Sequence, residues 1–213
     1  MASFPVLENF HHFVERLSTY GLTEFDCVNG IKAACDFFAI PMPAHIIDFT
    51  DEPVGGTMFV NKNPDSFADD IICYDLEELK RLGIYGKDAF TLVITHECTH
   101  RILQNTRMPG LNGGRWEEEL CCDFFMGVRA GLDHISHKSF EIVRNGFALC
   151  DGAQSHPVGT LRQEILTYGL MYVGYFDLIH HIKRTIPEYL MKFNEWRIKN
   201  DSRIKEAQAP YYR

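Results

Sequence analysis

The sequence predicts an α+β fold, a single domain in which a small mixed β-sheet is followed by a largely helical C-terminal half. Three features predict it. Apolar residues recur at helical spacing up to Phe38, short β-branched and aromatic runs crowd residues 44–74, and helical periodicity resumes at Asp88. No linker, repeat or low-complexity stretch divides the 213 residues, a length that suits one well-buried core. The chain parts into N-terminal helices (1–43), the sheet (44–74), a helical part (75–184) and a last helix with its tail (185–213).

Leu7, Phe10, Val14 and Leu17 share one helical face, and Gly21 closes that segment. Thr23 then caps a second helix that carries Phe25, Val28, Ile31, Cys35 and Phe38 inward, and Pro41 and Pro43 stop it. The runs 45–49, 57–60 and 70–74 read as three short strands. Glu52-Pro53, Gly55-Gly56 and the stretch from Asn61 to Ser66 are the turns between them. Asp75 caps a short helix from Leu76 to Leu82. Longer helices are expected from Asp88 to about Gln104, Arg115 to Ala130, Ser139 to Cys150 and Val158 to Lys183, with a last one after Pro187.

Composition narrows the function. A net charge of −8 argues against a nucleic-acid partner, because phosphate backbones require a basic face. The most apolar long stretch, Ile165 to Ile179, is broken by Gly, Tyr and Asp177, so no membrane span is expected. The first residues lack a basic-then-apolar leader, and the seven cysteines include no Cys-x-x-Cys pair. Reduced thiols and a cytoplasmic location are the expectation.

The chemistry concentrates in His96-Glu97-Cys98-Thr99-His100, an HExxH motif. Histidines four apart on a helix project from one face a turn apart, where one tetrahedral zinc ion can accept both nitrogens. Glu97 then flanks the metal and can take a proton from an activated water. The apolar residues on either side bury this helix, and buried polar groups demand a reason. Beyond a loop with Pro109, Gly110, Gly113 and Gly114, Glu119 and Asp123 are again four apart. Glu119 can be the third ligand, and Asp123 can accept from the outer nitrogen of a ligating histidine. Three protein ligands leave a fourth position open, the catalytic arrangement. Glu118, Asp123 or Cys122 in place of Glu119 are the alternatives.

Other residues carry less. Cys98, inside the motif, invites a redox role, but a buried inert thiol accounts for it better. His134 and His137 follow Gly131 as a second metal pair or as a solvated helix start. The adjacent pairs His11-His12 and His180-His181 point in divergent directions and make no natural chelate.

With these motifs the sequence resembles the gluzincin metallopeptidases, above all the minimal soluble ones and the catalytic domains of membrane CAAX-prenyl and heat-shock endopeptidases. Glu119-Leu120-Cys121-Cys122-Asp123 with Gly127 is similar to their ExxxD motif and its following small residue. Ser155-His156-Pro157 with Arg162 is similar to their Ser/Thr-His-Pro step. Gly55 to Val60 resembles their Gly-rich edge strand, which puts Thr57, Met58 and Phe59 against the substrate backbone. The likeness covers roughly residues 44–165. The N-terminal helices and the C-terminal tail fall outside it, and cysteines stand at 121 and 122 where small or polar residues are usual.

The resemblance implies a zincin-like fold, one zinc ion, a peptide or protein substrate and peptide-bond hydrolysis, by an endopeptidase rather than an exopeptidase. It makes His156 the group that stabilises the oxyanion or packs beneath the site. Tyr168 and Tyr172 are further candidates for that task, or else core tyrosines. Two other functions fit the same residues. One is a latent or inactive zincin-fold regulatory module, against which intact Glu97 argues; the other is a narrow-specificity toxin or effector protease. The tail from Lys183 onward is a candidate plug for latency.

Overall fold

The computed structural model describes residues 21–50, 58–61, 70–105, 115–180 and 184–212. The helix expected over Leu7–Leu17, His11-His12, Thr57, the turns at 52–56 and 62–66 and the Gly-rich loop lie outside them.

Helix α1 (Glu24–Phe38) begins where Thr23 and Asp26 cap each other reciprocally, and ends at Ala39 in the left-handed conformation. Its buried face runs Cys27, Ile31, Ala34, Cys35 and Phe38. Phe25 is a correction to the expected face. It is 73% exposed, because it lies two positions, more than half a turn, from Cys27 on the buried stripe.

The sheet has three strands in the order β1–β3–β2: β1 (His45–Asp48), β2 (Met58–Asn61) and β3 (Ile71–Tyr74). β1 runs parallel to β3, pairing His45 with Ile71, while β2 runs antiparallel to it, pairing Met58 with Tyr74. The centre strand is the buried one, with Ile72, Cys73 and Tyr74 all in the core. Among the described strands β2 is therefore an edge, and it packs against the helix that carries the HExxH motif.

Six helices follow: α2 (Leu76–Arg81), α3 (Lys87–Asn105), α4 (Arg115–Leu132), α5 (His137–Ala148), α6 (Gly159–His180) and α7 (Ile186–Gln208). The expected boundaries within the described residues hold to within a turn; the expected end of the long helix at Lys183 lies outside them. α5 starts two residues early because Ser136, rather than a later residue, accepts the Ser139 N–H and caps it. The result is an α+β domain dominated by helices.

α4 is the centre of the core. Trp116, Leu120, Cys121, Phe124, Phe125 and Val128 are fully buried around it. A helix buried on every side must be approached closely, and two glycines allow that against α6. A Cβ built on Gly127 would lie 2.0 Å from the Leu166 carbonyl oxygen, and one on Gly169 would lie 2.2 Å from that of Phe124. α3 is tied to the sheet side by Arg101, a fully buried cation. Its Nε donates to Asp70 Oδ2 at 2.6 Å and its Nη2 to the Pro41 carbonyl at 2.9 Å. A buried charge so paired fixes α3 against the loop after α1 and the start of β3.

Among the described residues no helix is long and apolar enough to cross a membrane. The Gly127–Gly169 crossing yields a stability test. Gly127→Ala should lower stability by about 1–3 kcal/mol or more in urea unfolding, because the helices must separate. Gly146→Ala in α5, where an added Cβ meets nothing within 4 Å, should be neutral or stabilising by about 1 kcal/mol.

Candidate metal centre

The inner face of α3 presents His96 and His100 one turn apart, and buried polar neighbours on the helix are satisfied locally. Thr95 Oγ1 donates to the Thr91 carbonyl at 2.6 Å and Thr99 Oγ1 to the Thr95 carbonyl at 2.7 Å. α4 crosses opposite and contributes Glu118, Glu119, Cys122 and Asp123. The two Nε2 atoms of His96 and His100 lie 3.2 Å apart. Glu119 Oε2 is 3.3 Å from the first, and Glu119 Oε1 is 3.4 Å from the second.

The outer nitrogens are claimed by carboxylates. His96 Nδ1 pairs with Asp123 Oδ1 at 3.0 Å, and His100 Nδ1 pairs with Glu118 Oε1 at 2.7 Å. When each Nδ1 donates its proton outward, both Nε2 atoms are bare lone pairs facing each other and a carboxylate. That arrangement is repulsive unless a proton or a metal ion joins it. A tetrahedral ion with metal–ligand bonds of about 2.0–2.1 Å separates its ligands by about 3.4 Å, which is the spacing found here. Glu119 Oε2 is buried and has no hydrogen-bond partner among the described residues, an orphan of the kind a metal satisfies. The donors fit one divalent ion.

Cys122 belongs to the same cluster. Its Sγ and one nitrogen from each of His96 and His100 all lie within 4.8 Å of one another, and this buried group could hold a metal ion. Burial pushes its thiol well above the ordinary value.

Arg162, from α6, locks the arrangement. Its Nε and Nη2 donate to Asp123 Oδ2 and Oδ1 at 2.7 and 2.9 Å, a bidentate buried pair, and its guanidinium lies over the Phe147 ring at 4.0 Å. Burial pushes the Asp123 carboxyl up, but the Arg162 charge and its hydrogen bonds outweigh that and hold it below the ordinary value. Burial likewise opposes an ionised Glu119, yet His100 and His96 beside it hold its carboxyl far down. Burial also disfavours a charged His96, but the Asp123 and Glu119 hydrogen bonds hold its pKa up at about 10 in the metal-free chain.

Glu97 is half-buried beside the histidines, and burial raises its carboxyl against the pull of His96 and His100. It lines an open cavity of about 670 Å³ together with His96, Glu119, Met58, Val143 and Phe147. The walls are largely apolar. His156 sits at the lip, half-exposed, with Nε2 3.8 Å from Glu119 Oε2 and Nδ1 hydrogen-bonded to Ser155 Oγ at 2.8 Å. Donation from that hydroxyl leaves the His156 proton on Nε2, facing Glu119. Burial lowers the His156 pKa, which favours this neutral form.

The sequence motifs thus meet in space: His96, Glu97, His100, Glu119, Asp123 and His156 form one cluster with Met58 on its rim. Phe59 lies in the same edge strand. Tyr168 and Tyr172 do not join it. They pack against Phe124 and Tyr189, with ring centroids 6.0 and 6.1 Å apart, and are core tyrosines. His137 sits in the exposed first turn of α5, 3.9 Å from Glu141, and His134 closes α4 with a φ of 52°. Glu118 is the participant that sequence reasoning missed as a histidine partner. Its position immediately before the ligand candidate was the available signal.

No protein-family model matches this chain, nor does any curated protein or solved structure.

The charges make stability pH-dependent in a defined direction. The folded His96 pKa of about 10 exceeds the ordinary 6.5, so its contribution is full below pH 6.5 and is lost as pH rises toward 10. Asp123 acts at the other end: its depressed pKa contributes above the unfolded value and is lost in acid. In chelator the melting temperature should therefore fall between pH 6.5 and 10. Added zinc should remove that fall, since a metal competes with the proton for His96. A flat alkaline profile in chelator would contradict the electrostatic reading.

Proposed function

We propose that this protein is a zinc-dependent peptidase of zincin-like fold, with His96, His100 and Glu119 as the metal ligands and Glu97 as the general base. The observation that carries the reading is the convergence of His96 Nε2, His100 Nε2 and Glu119 at 3.2–3.4 Å beside Glu97, on the wall of an open cavity. A zinc ion held there would supply Lewis acidity, polarising a carbonyl and making a water acidic near neutral pH.

The chain's own residues supply the rest. Asp123 and Glu118 keep the two imidazoles in the tautomer that turns Nε2 inward. Glu97, its pKa raised by burial, takes a proton from the attacking water and passes it to the leaving amine. His156 presents an Nε2–H toward the charge that develops on the carbonyl oxygen. The edge of β2, outermost among the described strands, receives an extended peptide backbone, and the apolar cavity receives one large apolar side chain of that peptide. An edge strand beside an open cavity favours cleavage within a chain over removal of terminal residues.

Cys122 supports a second reading. A thiolate joining His96 and His100 would close the fourth position, giving a latent or regulatory protein rather than an active enzyme. Cobalt(II) substitution separates the two, since a thiolate ligand adds a near-ultraviolet charge-transfer band that Cys122→Ser removes.

Elemental analysis of wild type is expected to find about one zinc per chain, lost in His100→Ala and in Glu119→Ala. Glu97→Gln should keep the zinc while peptidase kcat falls by about 10²–10⁴-fold. Zinc retained in Glu119→Ala would transfer the third ligand to Cys122 or Glu118, and no zinc in wild type would sink the enzyme reading.

A further inference from the structure

The loop between α5 and α6, residues 150–158, carries His156 to the lip of the cavity and has no secondary structure of its own. Its backbone makes one reciprocal pair, Ala153 N–H to the His156 carbonyl at 2.8 Å and His156 N–H to the Ala153 carbonyl at 3.3 Å. Three carbonyls of the loop, that of Ala153 among them, also accept from aromatic side chains elsewhere. Trp116 Nε1 donates to the Ala153 carbonyl at 2.8 Å, Tyr212 Oη to that of Gln154 at 3.0 Å, and Tyr211 Oη to that of Asp151. Three aromatic donors thus grip the loop at 151, 153 and 154, immediately before His156.

The grip is built rather than incidental. Tyr211 packs on Trp116 with ring centroids 5.8 Å apart, and Trp116 stands three residues before Glu119 on α4. Gly152 has a φ of +88°, and a Cβ there would lie 2.9 Å from Tyr211 Oη, so the loop backbone passes directly over the tyrosine. The tyrosines reach the loop because α7 is anchored upstream. Tyr189, Leu190, Phe193 and Trp196 are buried, and Arg203 pairs with Glu164 of α6 at 2.8 Å. Among the described residues, none beyond Arg162 lines the cavity. The described residues after α7 meet the 150–158 loop rather than the cavity.

We propose that Tyr211 and Tyr212 are positioning residues that, with Trp116, hold the 150–158 loop so that His156 faces Glu119. The catalytic part of this inference rests on the peptidase reading; the structural part does not. The Ala153 and His156 amides are built-in reporters, because both hydrogen bonds lie inside the braced loop.

The test is amide hydrogen exchange on the full chain, comparing wild type with Tyr211→Phe/Tyr212→Phe, which removes two hydroxyls and keeps both rings. Exchange at Ala153 and His156 should quicken by about 5- to 25-fold, the effect of losing one or two ordinary hydrogen bonds, while the α4 amide of Val128 stays unchanged. Unchanged exchange at Ala153 and His156 overturns the proposal. In peptidase assays the double variant should lower kcat about fivefold or more in the wild-type background, with little further loss in His156→Ala. Equal losses in both backgrounds would overturn the role through His156. A wild type without peptidase activity would fail the functional reading alone, and the exchange result would still decide the brace.

Discussion

Two imidazoles and a carboxylate held within 3.4 Å of one another, largely out of water, repel unless a proton or a metal ion joins them. Everything around the centre works against that repulsion. Left to relax, His96 and His100 would turn their Nε2 atoms apart, and Glu119 would swing to solvent. The protein prevents this by giving each imidazole a carboxylate behind it and each carboxylate a reason to stay. Such preorganisation holds a proton on His96 in the empty chain and leaves little rearrangement for a metal ion that displaces it.

The restraint spreads outward in steps. Asp123 orients His96, Arg162 orients Asp123, and Arg162 is itself backed by the Phe147 ring. Arg162 reaches Asp123 because α6 lies against α4, and α6 lies so near because Gly127 and Gly169 meet there without side chains. A glycine contact between two helices thus bears on the tautomer of a histidine on a third. On the opposite flank, Arg101 holds α3 to Asp70 and Pro41 from within the core. The donors sit between two buried arginines that they do not contain.

Much of this was legible in the sequence, and the boundary of legibility has a physical cause. HExxH and ExxxD are local patterns at helical spacing, so one face of each helix can be deduced from the chain alone. The α+β order and the three strands follow from periodicity and turn residues in the same way. What lay beyond reach depends on contacts between distant segments. Nothing in the local sequence marks Arg101 for burial against Asp70, and Phe25 reads as core until α1 is packed and its stripe runs through Cys27 instead. Glu118 could not be told from its neighbour Glu119 by spacing. Only the crossing of α3 and α4 separates a group 2.7 Å from the outer nitrogen of His100 from one facing the inner nitrogen. Tyr211 and Tyr212 carry no pattern at all, because their partners are main-chain carbonyls 60 and 58 residues away.

The separation between Asp123 and Arg162 has a consequence for the newborn chain. The two lie 39 residues apart, and at roughly 5–20 residues per second of synthesis the acid waits on the order of seconds for its base. Throughout that interval α3 and α4 can already face each other, with His96, His100, Glu119 and an unpaired Asp123 all present. Until Arg162 arrives, the carboxylates of that site lack the positive charge that the finished fold sets beside Asp123. A cation caught early would meet a forgiving cradle first, and α6 would arrive afterwards to close the frame around it.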